Sequence, residues 1–149
     1  MVDVSGKAVT VRTARASAVL RTTAEVMEQL RRDGLPKGDA LAVARIAGVM
    51  GAKRTSDLIP LCHPIALHSV TVAFNLEADL VRIEATTQTA DRTGVEMEAL
   101  TAVATAGLAL FDMIKAVDRS AVLTDVRVEA KAGGRSGSWA REAVEDGVQ

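Results

Sequence analysis

The chain has 149 residues, of which 48% are hydrophobic and 25% are charged. This composition is that of a globular protein of one domain over 1–149, so it excludes intrinsic disorder, and the single cysteine, Cys62, excludes a disulfide within the chain. A net charge of −1 with only two Phe, one Trp and no Tyr argues against a nucleic-acid partner, because neither a basic field nor a stacking platform is present.

The first half of the chain is predicted to form a strand and two helices. From Lys7 to Leu20, apolar residues alternate with basic ones, as in a strand with one solvated face. A helix capped by Thr22 or Thr23 follows and ends at Gly34. The second helix, over 37–52, is rich in Ala and Gly, which indicates close contact with another helix or subunit.

The second half is predicted to form three strands around one long helix. Residues 69–89 make two strands joined by a tight turn, a helix covers 95–117, and a last strand covers 122–132. This order of elements predicts a ferredoxin-like α+β sandwich, with an antiparallel four-stranded sheet and helices on one face. Residues 138–149 are polar and are predicted to form a flexible tail.

The long helix also bears on assembly and location. It is apolar nearly all round over 99–111, and such a helix is buried on every side. A chain of this size cannot easily bury it alone, so we predict oligomerisation through this helix or through the free sheet face. The apolar stretch is too short to span a bilayer, and the N-terminus lacks the apolar run of a signal peptide, so we expect a cytoplasmic protein without a membrane partner.

Charged residues embedded in apolar or small-residue sequence must be paired or functional, and four groups of them occur. The first is Lys37-Gly38-Asp39 at a predicted helix start. A lysine there can bind an anion together with free backbone N–H groups. The alternative, a solvated cap in which Asp39 complements the helix dipole, is equally open.

The second group surrounds His63. Pro60 and Pro64 fix the backbone on either side of this imidazole, which suits acid–base chemistry near neutral pH. Metal binding is disfavoured because the adjacent Cys62 and His63, with His68 further on, do not complete a ligand set. For Cys62, a buried structural thiol is favoured over a nucleophile.

The third and fourth groups lie in the second half of the chain. Glu96 and Glu98 stand at the entrance to the long helix, where a first-turn arrangement would let both carboxylates serve one site. Asp112 and Lys115, three residues apart, are favoured as a structural ion pair. Segment 131–137 joins two cations to three glycines, which suits phosphate, although a solvated turn is the common alternative.

These groups belong to four longer segments: KGDALAVARIAGVMGAKRTSDLIPLCHP, TGVEMEALTAV, FDMIKAVDR and KAGGRSG. In this order they resemble the MoaC family, the cyclic pyranopterin monophosphate synthases of molybdenum cofactor biosynthesis, and the resemblance covers about 2–137. It implies a lyase that converts 3′,8-cyclo-7,8-dihydroguanosine 5′-triphosphate to cyclic pyranopterin monophosphate with release of pyrophosphate. It also implies a homohexamer, built as a trimer of dimers with sites at subunit interfaces, and an upstream radical-SAM enzyme that supplies the substrate.

The resemblance also implies residue roles, carried over position by position. The catalytic positions are Asp112, Lys115 and Lys131, as a proton relay for ring opening and closure. The substrate-binding positions are Arg12, Lys37, Leu61, Cys62, His63, Glu96, Met97, Glu98 and Arg135. No metal ligands and no protein-held cofactor are implied, and a Mg²⁺ ion accompanying the triphosphate is left open.

One loop departs from the family pattern. Its usual form resembles KSGGKSG, whereas Ala132 and Arg135 occupy the variable positions here. Arginine keeps the charge for phosphate but does not readily donate a proton, so we expect Arg135 to bind rather than to catalyse.

Two further classes of function compete with the enzyme. A ferredoxin-like fold can serve as a ligand-sensing or oligomerising module, but charges at four separate places exceed what a sensor needs. RNA binding on the open sheet face is disfavoured by the missing aromatic residues and the neutral charge.

Overall fold

The fold is that of a computed structural model, which describes residues 1–142. Its elements, in chain order, are β1 (Thr10–Arg21), α1 (Ala24–Arg31), α2 (Ala40–Lys53), α3 (Thr55–Leu58), β2 (Ser69–Leu76), β3 (Leu80–Asp91), α4 (Glu96–Ile114), β4 (Val122–Ala132) and β5 (Trp139–Ala140).

The strands form one antiparallel sheet in the order β2-β3-β1-β4-β5. On β3, alternate residues from Ile83 to Thr89 are buried and the residues between them are exposed, so one face of the sheet is covered. Helix α4 packs across β1, β3 and β4, and α2 packs on α4. The predicted α+β sandwich of the ferredoxin-like kind is thus confirmed.

The C-terminal part of the sheet differs from the prediction. A fifth strand, the two-residue β5, pairs with β4 through Ala130 and Lys131. Trp139 and Ala140 therefore belong to the sheet rather than to the flexible tail predicted from residue 138, because backbone pairing with an edge strand does not require an apolar sequence. The rest of that predicted tail, residues 143–149, lies outside the described residues.

Local capping sets where the first two long helices begin. Thr23 caps α1 as predicted, since its side chain accepts a hydrogen bond from the Val26 N–H at 3.3 Å. Helix α2 starts later than predicted, at Ala40, because Asp39 is its cap and accepts from the Ala42 N–H at 3.0 Å. Gly38, with φ of 91°, turns the chain just before it.

Helix α4 is the core of the molecule. By length and hydropathy it is the one helix of the described residues that could span a membrane, yet half of its apolar window is buried inside the protein, as in an ordinary core helix. Within one chain its burial is incomplete, because Leu108 is 63% exposed. Helix α2 likewise exposes Val43, Ile46 and Met50 on successive turns, so an apolar surface is left uncovered.

Candidate active site

A cavity of about 480 Å³ lies at the N-terminal end of α4. Six residues predicted from the sequence line it together. They are Leu61, Cys62 and His63, from the segment between α3 and β2, and Glu96, Met97 and Glu98, from the first turn of α4. The two motifs that are more than thirty residues apart in the sequence therefore form one pocket.

Glu98 has the most unusual environment in this cavity. Its side chain is buried, with 3% exposure, and its Oε2 has no hydrogen-bond partner among the described residues. Burial raises the pKa of Glu98, and the neighbouring Glu96 carboxylate raises it further. A buried polar atom without a partner is costly, so this carboxyl is suited to meet an N–H or O–H group of a ligand.

The segment carrying His63 forms a turn at the rim of the cavity. The Cys62 N–H donates to the Ile59 carbonyl at 3.1 Å, and Leu61 projects outward, 71% exposed. Burial raises the pKa of the Cys62 thiol, and the charge of Glu98 adds to the effect. The thiolate is therefore disfavoured, but the expected burial is incomplete, because Cys62 is only partly buried and lines the cavity.

A second, smaller cavity of about 150 Å³ adjoins the first and is lined by cations. Arg12 and Lys131 both contribute to it, with Glu96 on the side facing the first cavity. The sheet register pairs Lys131 with Ala14, which places Lys131 on the same sheet face as Arg12. The Lys131 ammonium donates to the Ser136 hydroxyl.

Backbone carbonyls and glycines fix the guanidinium of Arg12. Its Nε donates to the Asp91 carbonyl at 3.0 Å and its Nη2 to the Arg92 carbonyl at 3.1 Å. Gly134, with φ of 75°, leaves room on the other side, since a β-carbon there would lie 2.7 Å from Cζ of Arg12. The predicted glycine-rich loop is therefore packed against a cation rather than freely solvated.

Arg135 does not line the cavity of Lys131. It lines a third cavity, of about 450 Å³, together with Arg12 and Gly134. Lys131 and Arg135, the two cations of the glycine-rich loop, thus line neighbouring but different cavities.

The remaining predicted residues meet near the C-terminal end of α4. Asp112 accepts from Lys37 Nζ at 2.6 Å through Oδ2 and from Lys115 Nζ at 2.6 Å through Oδ1. These two bonds lower the pKa of Asp112 to about 2, and the bond from Lys115 has the larger effect. The Asp112–Lys115 pair was predicted from their spacing, whereas the sequence did not indicate that Lys37 would join it.

These two groups of residues are far apart within one chain. Glu98 and Asp112 are fourteen residues apart on α4, which corresponds to about 21 Å along the helix axis. One small molecule cannot contact both groups of a single chain.

The structure adds residues that the sequence analysis did not select. Lys7 lines all three cavities described above, and Arg92 lines the cationic one. In the sequence, Lys7 looked like one of the solvated residues of the first strand, but β1 begins only at Thr10. The sequence carried no signal that singled out Lys7, because the predicted strand included it.

Comparison with known proteins gives consistent matches along the chain. The MoaC family profile matches residues 1–134. A Streptomyces avermitilis protein named cyclic pyranopterin monophosphate synthase is 63% identical over 141 residues, which make up 95% of this chain and 83% of that protein. A Corynebacterium efficiens protein of the same name is 60% identical over 139 residues, 93% of this chain and 90% of that protein. A Mycobacterium tuberculosis protein named cyclic pyranopterin monophosphate synthase 2 is 59% identical over 141 residues, 95% of this chain and 84% of that protein.

Proposed function

The chain belongs to the MoaC family, and we propose that it is an enzyme that makes cyclic pyranopterin monophosphate in molybdenum cofactor biosynthesis. Its substrate is 3′,8-cyclo-7,8-dihydroguanosine 5′-triphosphate. The reaction opens the imidazole-derived part of the purine, rebuilds it as a pterin, closes a cyclic phosphate and releases pyrophosphate. The resemblance first drawn from four sequence motifs is confirmed by the family match.

The observation that carries this proposal is the continuity of two unlike cavities. One holds a buried carboxyl and an imidazole, and the adjoining one is lined by cations. A cyclised nucleoside triphosphate likewise has two unlike ends, with hydrogen-bonding ring atoms at one end and a highly charged phosphate chain at the other. The two cavities therefore suit the two ends of this substrate.

At the ring end, we assign binding roles to Glu96, Glu98 and His63. The Oε2 of Glu98 is available to accept from a ring N–H, or to donate to a ring acceptor when protonated. Leu61, Cys62 and Met97 complete the wall of this cavity.

At the phosphate end, Arg12, Lys131 and Arg135 supply positive charge. Closing the cyclic phosphate breaks a bond to the departing pyrophosphate, and cations placed around the chain stabilise the charge that develops on it. Lys131 lines the same cavity as Glu96, and we assign it a part in proton transfer as well.

The proton relay is assigned to Asp112 and Lys115, with Lys37 bound to the same carboxylate. Since this group lies about 21 Å along α4 from Glu98, we propose that each active site combines the N-terminal end of α4 from one chain with the C-terminal end from another. The uncovered apolar residues Ile46 and Leu108 support an assembly of chains.

The proposal also includes the oligomeric state, the location and the substrate supply that the resemblance to the family implies. The assembly is a homohexamer, a trimer of dimers, that works in the cytoplasm and receives its substrate from a radical-SAM enzyme. The protein holds no cofactor of its own, and any Mg²⁺ enters with the triphosphate, whose oxygens are the ligands this ion prefers.

The test is single-turnover conversion of the cyclised nucleotide by the full chain, followed by mass spectrometry of the pterin product and assay of pyrophosphate. We expect one pyrophosphate for each cyclic pyranopterin monophosphate formed. Asp112→Asn, which keeps the shape of the side chain but removes its charge, should slow turnover by about 100-fold or more. Tight binding without conversion by the wild-type chain would refute the proposal and support a binding module instead.

A further inference from the structure

Lys7 stands where the three cavities meet. It lines the ring cavity with Glu98, the cationic cavity with Lys131, and the third cavity with Arg135. None of the cations predicted from the sequence lines all three. With the ring of the proposed substrate in the first cavity and its phosphates in the other two, Lys7 lines every cavity that the substrate occupies.

Among the residues that the structure describes, no ion pair neutralises the cations around the junction. Within residues 1–142, no ion pair involves Lys7, Arg12, Arg92 or Lys131. In the described part of the chain, Glu96 alone contributes a carboxylate to the wall of the cationic cavity. A cluster of this kind repels itself unless an anion is bound, so it is suited to a polyphosphate that carries several negative charges.

The backbone on both sides of Lys7 is held in place. The Lys7 N–H donates to the Val4 carbonyl at 3.0 Å, and the Lys7 carbonyl accepts from Nε of Arg92 at 3.0 Å. The Arg92 carbonyl in turn accepts from Arg12. Arg92, in the loop between β3 and α4, therefore holds the backbone of Lys7 and the guanidinium of Arg12 near each other. Lys7 and Arg12 themselves lie in the N-terminal part of the chain, far from Arg92 in sequence.

We infer that Lys7 is a phosphate-binding residue of this enzyme, which guides the polyphosphate chain from the cavity of Lys131 into the cavity of Arg135. This inference rests on the proposed function for the identity of the substrate. The side chain of Lys7 is exposed and its backbone contacts do not involve the ammonium, so its truncation removes charge without removing structure.

The experiment measures binding of inorganic tripolyphosphate and pyrophosphate to the full chain by isothermal titration calorimetry. Lys7→Ala should weaken tripolyphosphate binding by roughly ten- to a hundredfold, the loss typical of one charge-assisted contact. Lys7→Arg should restore affinity to within a few-fold of wild type. The matched control is Arg21→Ala, which removes a cation at the other end of β1, about 30 Å from Arg12.

Each possible result either supports or overturns the assignment of Lys7 as a phosphate-binding residue. Unchanged tripolyphosphate affinity in Lys7→Ala, an equal loss in Arg21→Ala, or a wild-type chain that binds no tripolyphosphate would overturn the inference. Because these titrations involve no turnover, a wild-type chain that binds tripolyphosphate through Lys7 but fails to convert the cyclised nucleotide would refute the proposed function alone.

Discussion

At the scale of single residues, Glu98 shows how a site can be built at a cost to the fold. A charge at a position that is 3% exposed is destabilising unless a partner neutralises it, and Oε2 has no partner within residues 1–142. The protein keeps a carboxyl where an apolar side chain would pack more favourably. Such a residue is expected where binding, rather than folding, sets the requirement.

We therefore predict opposite effects of Glu98→Gln on stability and activity. Burial raises the pKa of Glu98, so the folded state holds its proton more tightly than the unfolded state, and stability falls as pH rises above the ordinary glutamate pKa of about 4.3. The neutral glutamine avoids this loss, so urea denaturation at pH 7 should show a higher midpoint. The gain should vanish below about pH 4, where both side chains are neutral.

Turnover of the same variant should fall by about tenfold or more in kcat/KM, because a charged hydrogen-bond partner of the substrate is lost. Glu84→Gln, at an exposed site within β3, serves as the control and should change neither property appreciably. A lower urea midpoint for Glu98→Gln at pH 7 would mean that the carboxylate is stabilised by the fold after all.

At the scale of elements, the contact between α2 and α4 is made by small residues. Gly48 lies against the Ala102 carbonyl and the Ala106 methyl, where a β-carbon would be 3.0 Å and 3.1 Å from these atoms. Gly51 lies still closer to Thr105 on α4, where a β-carbon would be 2.7 Å from the Thr105 β-carbon. The two helices can approach closely only because α2 presents glycines to its neighbour, as its composition predicted.

Gly51→Ala should accordingly destabilise the protein, although alanine is the better helix former. A β-carbon at position 51 would lie 2.7 Å from the β-carbon of Thr105, so the helices must separate. Overpacking of this kind costs about 1–3 kcal/mol, which exceeds the gain of about 1 kcal/mol in helix propensity. The measurement is the free energy of unfolding in urea.

The double variant Gly51→Ala/Thr105→Ala does not remove the β-carbon at position 105, but it removes the Thr105 hydroxyl and methyl that also crowd position 51. It should recover part of the loss relative to Gly51→Ala, with Thr105→Ala alone as the reference of a double-mutant cycle. Strict additivity of the two substitutions would show that this helix contact is not the cause.

At the scale of the whole molecule, α4 carries two groups of candidate site residues, one at each of its ends. Its first turn carries Glu96 and Glu98, and its last turns carry Asp112 and Lys115. A rigid helix keeps these groups apart in one chain, yet a partner in the opposite orientation would bring the two ends together. The proposed assembly thus follows from the length of one helix.

Mixing two inactive chains tests this arrangement. Lys37→Ala disables the group at the C-terminal end of α4, and Lys131→Ala disables the cationic cavity. If each site takes one group from each of two chains, random mixing leaves each group intact half of the time, so about a quarter of wild-type activity should return. If both groups of a site come from one chain, verified mixed assemblies should stay inactive.

Much of the fold was determined by local sequence. Strand β3 alternates buried and exposed residues from Ile83 to Thr89, and α4 is apolar over several turns, so the hydrophobic pattern alone placed both elements to within a few residues. The cap at Thr23 and the pairing of Asp112 with Lys115 depend on neighbours three residues away and were predicted for the same reason. The motifs around His63 and Glu98 sufficed to identify the family.

Only the tertiary structure decided how these pieces form a site. Lys37 reaches Asp112 across 75 positions of sequence, and Lys7 comes to the junction of three cavities through a contact with Arg92. Burial leaves Oε2 of Glu98 without a hydrogen-bond partner among the described residues. The two-residue strand at Trp139 likewise exists only because the edge of β4 is available to pair with it. Periodicity and spacing describe interactions within a turn or a strand, whereas these features depend on distances between segments that the chain brings together only when it folds.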